Sequence, residues 1–106
     1  MNRALLQVRA AMRGDAAGVA ALIEVLGYPC TPDDAIERLR AVAAEPDQTL
    51  LVADRDGNLC GLLGLDLMYY LPLGARTCRI TALAVAPAHQ REGIGRDLLQ
   101  SAETWA

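Results

Sequence analysis

A two-residue turn between two apolar segments constrains the fold of this chain more than any other feature. Asp56-Gly57 separates a segment that begins at Thr49 from a long segment, Leu59 to Leu71. An Asp-Gly pair accommodates the positive φ angles of the tight turns that join antiparallel strands. The sequence therefore predicts a β-hairpin with a long second strand, and with it a mostly antiparallel sheet.

Two helices are predicted between a short strand, Leu5 to Ala10, and this hairpin. Asp15 is expected to cap the N-terminus of the first helix, and Gly27 suits the left-handed residue that follows a helix. The apolar residues of this helix recur with helical spacing and form one face: Val19, Leu22, Ile23 and Leu26.

The second helix carries a clear start signal. Thr31 is a good N-cap, Pro32 fits the first helical position, and Asp34 occupies the third position, as in a capping box. The segment Glu45-Pro46-Asp47 ends the helix. Its expected buried face consists of Ile36, Leu39 and Ala43.

A strand and a helix are predicted after the hairpin and the loop "LPLGA". The strand runs from Arg79 to Ala86, and the helix has an apolar stripe at Ile94, Leu98, Ala102 and Trp105. Strict alternation in the strand places Thr81, Leu83 and Val85 on one face and the mostly small residues Ile80, Ala82 and Ala84 on the other. The order β-α-α-β-β-β-α predicts a single α+β domain over residues 1–106, with helices flanking the sheet.

Composition excludes several classes of protein. With 53% hydrophobic and 22% charged residues in 106, the chain is one small globular domain. A net charge of -3 without a basic and aromatic stripe argues against nucleic-acid binding, and no apolar run is long enough for a membrane span. Cys30, Cys60 and Cys78 match neither zinc nor disulfide spacing, and Arg9 interrupts any secretory signal. A cytoplasmic protein with reduced thiols and no metal is expected.

Two glycines, Gly93 and Gly95, precede the last helix in the stretch "QREGIG". A strand that passes through a short loop into a helix gathers backbone N–H groups at one point, where the helix dipole adds positive charge. Glycine lets an anion approach such a loop closely. The stretch therefore indicates a phosphate cradle, to which Arg91 and Arg96 would add charge. The same two glycines would also suit a tight turn with close helix packing.

The stretch "ITALAVAPAHQREGIGRDLL" resembles the acetyl-CoA signature of the GCN5-related N-acetyltransferase (GNAT) superfamily. In that signature, an apolar-x-Val-x-Pro-like strand end precedes Gln/Arg-x-x-Gly-x-Gly/Ala. The matching residues are Leu83, Val85 and Pro87 in the strand end and Gln90, Gly93 and Gly95 in the loop. The order of upstream elements is also similar, so the resemblance extends over essentially the whole chain.

This resemblance implies an acetyl-CoA site. The pyrophosphate would lie on the backbone amides of Arg91 through Arg96, and the pantetheine arm would pair with the backbone around Leu83 to Val85. A bulge near Ala84 is expected beside that arm. The residues implied to bind acetyl-CoA are Leu83, Ala84, Val85, Gln90, Arg91, Glu92, Gly93, Ile94, Gly95 and Arg96.

The resemblance also implies direct attack of an acceptor amine on the thioester. Such a reaction needs a base for the ammonium proton and a donor that polarises the thioester carbonyl, here a backbone N–H near Leu83. Asp66, Tyr69 and Tyr70 are the weak candidates for catalysis; the alternatives are a solvated strand carboxylate for Asp66 and an amphipathic rim for the two tyrosines. His89, the only histidine, is interpreted as an incidental loop residue. The loop around Tyr28 would help to select the acceptor, whose identity the sequence leaves open.

Members of this superfamily ordinarily continue past the signature helix with a further strand, a further helix and a final hairpin, whereas this sequence stops at Ala106. The expectation is therefore a GNAT-like domain that lacks the C-terminal strands and helix. An exposed edge at Arg79 to Ala86 would favour a homodimer, with strand or helix exchange. Three functions remain open: an N-acetyltransferase, an inactive CoA-binding or dimerisation module, and a structural domain without affinity for CoA.

Overall fold

A computed structural model describes residues 6–105 of the chain, with side chains through residue 104. The strands are β1 (Leu6–Ala10), β2 (Gln48–Arg55), β3 (Asn58–Tyr70) and β4 (Ala75–Val85). The helices are α1 (Ala16–Val25), α2 (Pro32–Ala43) and α3 (Ile94–Trp105), with short 3₁₀ turns at Arg13–Asp15 and Pro87–His89. Within the described residues the strands form one four-stranded antiparallel sheet in the order β1-β2-β3-β4. The predicted α+β class and element order are confirmed, and Leu5 lies outside the described residues.

The hairpin between β2 and β3 has the predicted turn. Asp56 and Gly57 have φ angles of 53° and 87°, so both central residues are left-handed, as a two-residue hairpin turn requires. The carboxylate of Asp54 accepts a hydrogen bond of 2.8 Å from the Gly57 N–H. Arg55 and Asn58 are the first cross-strand pair, and β3 continues from there for 13 residues.

Helices cover both faces of the sheet and divide the core into two clusters. On one face, α1 and α2 pack against strand residues that include Val52, Leu62 and Ala84. On the other face, Ile94 and Leu98 of α3 pack against a second set of buried strand residues, among them Leu51, Ala53, Cys60, Leu63 and Leu65. The predicted stripe of α3 is confirmed at Ile94, Leu98 and Ala102, whereas the side chain of Trp105 lies outside the described part. No helix within residues 6–105 is long and apolar enough to cross a bilayer.

The N-terminus of α1 differs from the sequence prediction. Asp15 stands at the N-cap position, but its carboxylate makes no capping hydrogen bond to α1. Arg9 donates to both carboxylate oxygens at 2.8 Å, and the Met12 N–H donates to one of them at 2.7 Å. These contacts, with the Arg9 hydrogen bond first, lower the pKa of Asp15. The carboxylate of Asp15 therefore binds the guanidinium of Arg9 in a bidentate ion pair, instead of the helix N–H groups that the sequence predicted.

The second helix has the predicted cap, and its predicted buried face is confirmed at Leu39 and at the partly buried Ile36 but not at Ala43. Thr31 Oγ1 accepts a hydrogen bond from the Asp34 N–H at 3.1 Å, and the Asp34 carboxylate accepts one from the Thr31 N–H at 3.0 Å. The buried residues of α2 are Ala35 and Leu39, whereas the predicted Ala43 is exposed. Ala43 lines a surface groove between the last turn of α2 and residues 11–13, which leaves it uncovered.

Strand β4 begins earlier than predicted and contains a bulge. Ala82 pairs with Gly64 and Ile80 pairs with Leu65, so Thr81 is an extra residue without a partner on β3. The bulge thus lies at Thr81 rather than near Ala84. Gly64 leaves room for it, since a Cβ on Gly64 would lie 2.7 Å from Thr81 Oγ1.

The bulge also overturns the predicted faces of β4. Ile80 shares a face with its partner Leu65, which packs on the α3 side, instead of with Ala82 and Ala84. The small residues Ala82 and Ala84 pack against the α1 and α2 cluster, so their size serves helix packing rather than ligand access. Within the described residues β4 pairs only with β3, and its open edge is where the strand is accessible.

Candidate functional site

The strand β4 leads through a coiled loop into α3. The Ala86 N–H donates to the Cys60 carbonyl at 2.8 Å, which extends the pairing of β4 with β3 by one residue. Two turn hydrogen bonds then coil the loop, from the His89 N–H to the Ala86 carbonyl and from the Glu92 N–H to the His89 carbonyl. Gly93, with a φ of 79°, reverses the chain into α3. This conformation favours glycine over every other residue.

Backbone N–H groups without partners converge where α3 begins. Within the described part of the chain, no acceptor is present for the N–H groups of Arg91, Gly93, Ile94, Gly95 and Arg96. The Glu92 N–H differs because the His89 carbonyl accepts from it at 3.2 Å. The first amides of a helix point outward along its axis, and α3 has 12 residues whose peptide dipoles add positive charge there. The arrangement can hold an anion such as a phosphate group.

The two glycines of this loop have different roles. Gly93 is required by its backbone angle. Gly95 has no positive φ, and a Cβ there would meet only Val85 Cγ2, at an ordinary contact distance of 3.9 Å. Neither the turn nor helix packing therefore requires glycine at position 95. The missing side chain leaves open space beside the N–H groups, which favours the phosphate cradle over a purely structural turn.

Two arginines add charge to the same loop. The guanidinium of Arg96 folds back over Gly93, with Nη2 3.0 Å from where a Cβ on that glycine would lie. Neither Arg96 nor the exposed Arg91 has a carboxylate within 4.0 Å among the described residues. Their charges thus remain available to an anion at the N-terminus of α3.

A side-chain cluster that the sequence did not reveal fixes this loop to the hairpin. Arg55, the last residue of β2, donates from Nη1 to Oε1 of Glu92 at 2.6 Å. The same oxygen lies 3.0 Å from Nδ1 of His89. The hydrogen bonds from His89 and Arg55 lower the pKa of Glu92, and the contact with Glu92 raises the pKa of Arg55. Arg55 and Glu92 are 37 residues apart, so no local pattern could have paired them.

The remaining residues implied for the cofactor lie at the end of β4. Gln90 Nε2 donates to the Val85 carbonyl at 3.3 Å, so this side chain folds onto the strand end. The side chain of Leu83 is 38% exposed, whereas that of Ala84 is buried against α1. Alternate backbone groups of an antiparallel edge strand point away from the sheet, where another extended chain can pair with them.

The three catalytic candidates do not gather at the loop. Asp66 is the cross-strand partner of Arg79, which donates to its carboxylate from Nε at 3.1 Å and from Nη2 at 2.6 Å. This contact raises the pKa of Arg79. Tyr69 and Tyr70 are exposed near the opposite end of β4. At a rise of about 3.3 Å per residue, they lie about 30 Å along the strand from the loop.

The described residues support neither a metal site nor a nucleophilic role for Cys60. No group of three or more His, Cys, Asp or Glu side chains within residues 6–105 is arranged to hold a metal ion. Cys60 is fully buried, and burial raises the pKa of its thiol, which opposes formation of a thiolate.

The profile of the acetyltransferase (GNAT) family matches residues 15–106. A GNAT family acetyltransferase from Staphylococcus aureus is 25% identical, with a TM-score of 0.86 over 94% of this chain and 76% of that one. An aminoglycoside antibiotic 6'-N-acetyltransferase from Acinetobacter baumannii is 21% identical, with a TM-score of 0.79 over 96% of this chain and 71% of that one. An aminoglycoside N-acetyltransferase in complex with CoA is 14% identical, with a TM-score of 0.82 over 98% of this chain and 70% of that one. No curated protein sequence matches the chain significantly.

Proposed function

The chain belongs to the GNAT acetyltransferase family, and from this premise we propose that it binds acetyl-CoA and transfers the acetyl group to an amine acceptor. The observation that carries the proposal is the set of unpartnered N–H groups at the start of α3, beside the open space at Gly95. A solved aminoglycoside N-acetyltransferase of the same fold is a complex with CoA, which supports the choice of ligand.

The pyrophosphate of acetyl-CoA would be held by the loop before α3. We assign this role to the N–H groups of Arg91, Gly93, Ile94, Gly95 and Arg96. The Glu92 N–H is left out because the His89 carbonyl already accepts from it. Arg96, whose guanidinium lies over Gly93, would place a positive charge next to the phosphates.

The pantetheine arm would pair with the open edge of β4 at Leu83 to Val85. From the loop, this edge runs back toward the bulge at Thr81, so the acyl end of the ligand would lie near Ala82 and Leu83. A backbone N–H near Leu83 is the proposed donor to the thioester carbonyl, where negative charge develops during attack. The acceptor would approach from the side of α1 and α2, where the bulge widens the space between strand and helices.

Asp66 is the best placed of the three candidates for the proton transfer. It lies two residues beyond Gly64 on β3 and on the same face of the sheet, about 7 Å along the strand. A carboxylate at that distance would take the ammonium proton through an intervening water, as the amine attacks the thioester and the CoA thiolate leaves. Its ion pair with Arg79 holds the carboxylate in place.

Calorimetric titration of acetyl-CoA into the chain tests the proposal directly. We expect saturable binding to the wild type and to Gly95→Ala, because the family signature accepts either residue there. Gly95→Leu should lose binding while the protein stays folded, since a Cβ at position 95 meets only Val85 at 3.9 Å. A folded wild type that does not bind, or equal binding by Gly95→Leu, would overturn the assignment.

Turnover separates the enzyme from a binding module. Mass spectrometry of an amine panel incubated with acetyl-CoA should detect an acetylated product, and the Asp66→Asn variant should form it more slowly without losing affinity for acetyl-CoA. Saturable binding without any acetylated amine would instead identify a CoA-binding module.

A further inference from the structure

An apolar cavity of about 180 Å³ lies between α1, α2 and the sheet, above the bulge in β4. Gly64, Thr81 and Ala82 form its floor. Its walls are apolar side chains of the two helices, chiefly Val19, Ile23, Leu26, Leu39 and Val42. A Cβ on Gly64 would lie 2.7 Å from Thr81 Oγ1, so the absence of a side chain at position 64 and the extra residue of the bulge meet at the base of the cavity.

The cavity continues into a wider groove that reaches the edge of β4. The groove is lined by Tyr28 and Pro29 from the loop after α1 and by Leu83. Thr81 and Ala82 line both spaces, so cavity and groove are continuous. A molecule in the cavity would therefore extend to the segment of β4 where the proposed function places the thioester.

Within residues 6–104, Arg38 is the only charged residue that lines either space. Among the described residues, no carboxylate lies within 4.0 Å of its guanidinium. Asp34, one helical turn earlier, directs its carboxylate to the Thr31 N–H instead. After the hydrogen bonds with Thr31, the exposed guanidinium contributes to the lowered pKa of Asp34 but forms no ion pair with it, so it can form a charge-assisted hydrogen bond with an anion at the edge of the cavity.

We infer that this cavity takes an acceptor amine that carries a phenyl-sized or branched-alkyl group and a carboxylate, and that Arg38 binds the carboxylate. This inference rests on the proposed function, which places the acyl end of the ligand at the mouth of the cavity. The size fits, since an apolar cavity of roughly 150 Å³ holds a benzene ring. The apolar group fills the cavity, the carboxylate pairs with Arg38, and the amine lies toward Ala82 and Leu83.

The test compares two probes that differ only in charge, L-phenylalanine and L-phenylalaninamide. Their affinities for the wild type, Arg38→Gln and Arg40→Gln are measured by NMR titration without acetyl-CoA. Arg40 is the matched control, because it lies on the same helix, pairs with Glu37 and lines neither space. We expect the wild type and Arg40→Gln to bind the acid about tenfold more tightly than the amide. In Arg38→Gln, the affinity for the acid should fall to that for the amide, whereas the affinity for the amide should stay unchanged.

Equal affinity of the wild type for acid and amide, or an equal loss of both in Arg38→Gln, would overturn the inference. The readout contains no acetyl-CoA, so it does not depend on the phosphate loop. Selective binding of the acid by a chain that fails to bind acetyl-CoA would overturn the proposed function and leave the role of Arg38 in place. Binding of acetyl-CoA without preference for the acid would support the proposed function and overturn the role of Arg38.

Discussion

Arg55 donates a hydrogen bond from Nη1 to Oε1 of Glu92 at 2.6 Å, and so joins the end of β2 to the loop before α3. Without this contact, Glu92 would place a negative charge among the N–H groups assigned to phosphate. With it, the positive charge of Arg55 offsets that of the carboxylate, which also contacts His89 at 3.0 Å, and the loop is attached to the hairpin. Arg55 is therefore a positioning residue, which acts on the ligand through Glu92.

Replacing Arg55 by Gln should weaken acetyl-CoA binding by about tenfold, because Glu92 would then repel the phosphates. Calorimetry at low salt measures the effect, and added salt should reduce it. The double variant Arg55→Gln with Glu92→Gln should recover part of the affinity, since it removes the repelling charge. A loss that the second substitution does not relieve would show that Arg55 acts by another route.

The lowered pKa of Glu92 makes its contribution to stability depend on pH. A carboxyl group with a depressed pKa in the folded state stabilises the fold above its ordinary value of 4.5, and the contribution disappears as pH falls through the folded pKa. Urea unfolding of the wild type and Glu92→Gln should thus differ at neutral pH and converge in acid. A difference that is constant across the pH range would contradict this reasoning.

Alanine substitutions at the two loop glycines should distinguish a glycine that its backbone angle requires from one that only leaves space beside the loop. Gly93→Ala places a Cβ on a residue with a φ of 79° and should reduce the free energy of unfolding by about 1–2 kcal/mol. Gly95→Ala has room for its Cβ within α3 and should be neutral or stabilising by up to about 1 kcal/mol. Chemical denaturation of the two variants in parallel tests this. Equal losses would mean that position 95 is strained too.

Leu98 should be among the most important core residues. It is fully buried, and its Cδ1 lies 3.1 Å from where a Cβ on Gly61 would be, so α3 packs directly on the backbone of β3. Leu98→Ala should cost about 2–5 kcal/mol, a large share of the stability of a small domain. Leu99, its 37% exposed neighbour, is the control, and Leu99→Ala should change the free energy of unfolding by less than about 0.5 kcal/mol. Similar losses in both variants would contradict the packing of α3.

The cysteines should react with an aromatic disulfide reagent in a fixed order. Cys78 is half-buried, whereas Cys30 and Cys60 are buried and the pKa of Cys60 is raised by burial. The native protein should therefore show one fast thiol, which Cys78→Ser removes, and further thiols only after unfolding. Fast labelling of Cys78→Ser would mean that the core opens near Cys30 or Cys60. A colorimetric assay for released CoA thiol should use this variant.

Features set by local chemistry were predictable from the sequence. The turn at Asp56-Gly57, the cap at Thr31 and the glycine loop depend on residues that act on their immediate neighbours. The predicted position of the bulge, near Ala84, is wrong because the bulge depends on Gly64, which meets Thr81 only across the sheet. The prediction that Asp15 caps α1 is wrong for a similar reason, since its partner Arg9 lies on β1.

Two parts of the candidate site depend on contacts between distant segments. The pair of Arg55 and Glu92 and the cavity beside Arg38 each join elements that the sequence keeps apart. Nothing in either segment alone distinguishes these arginines from solvated ones. Amphipathic spacing likewise indicated a buried face for α2 but not the groove that leaves Ala43 uncovered.

The single extra residue at Thr81 shifts the alternation of β4 by half a period. Before it, Ile80 lies on the α3 side of the sheet with its partner Leu65. After it, Ala82 and Ala84 lie on the side of α1 and α2. Because Thr81 has no partner on β3, removing it would leave the other pairs and faces of the strand unchanged, whereas giving it a regular place in the ladder would exchange the faces of all residues on one side of it. The bulge is thus what allows this strand to carry one more residue than its partner without turning any side chain to the wrong side of the sheet.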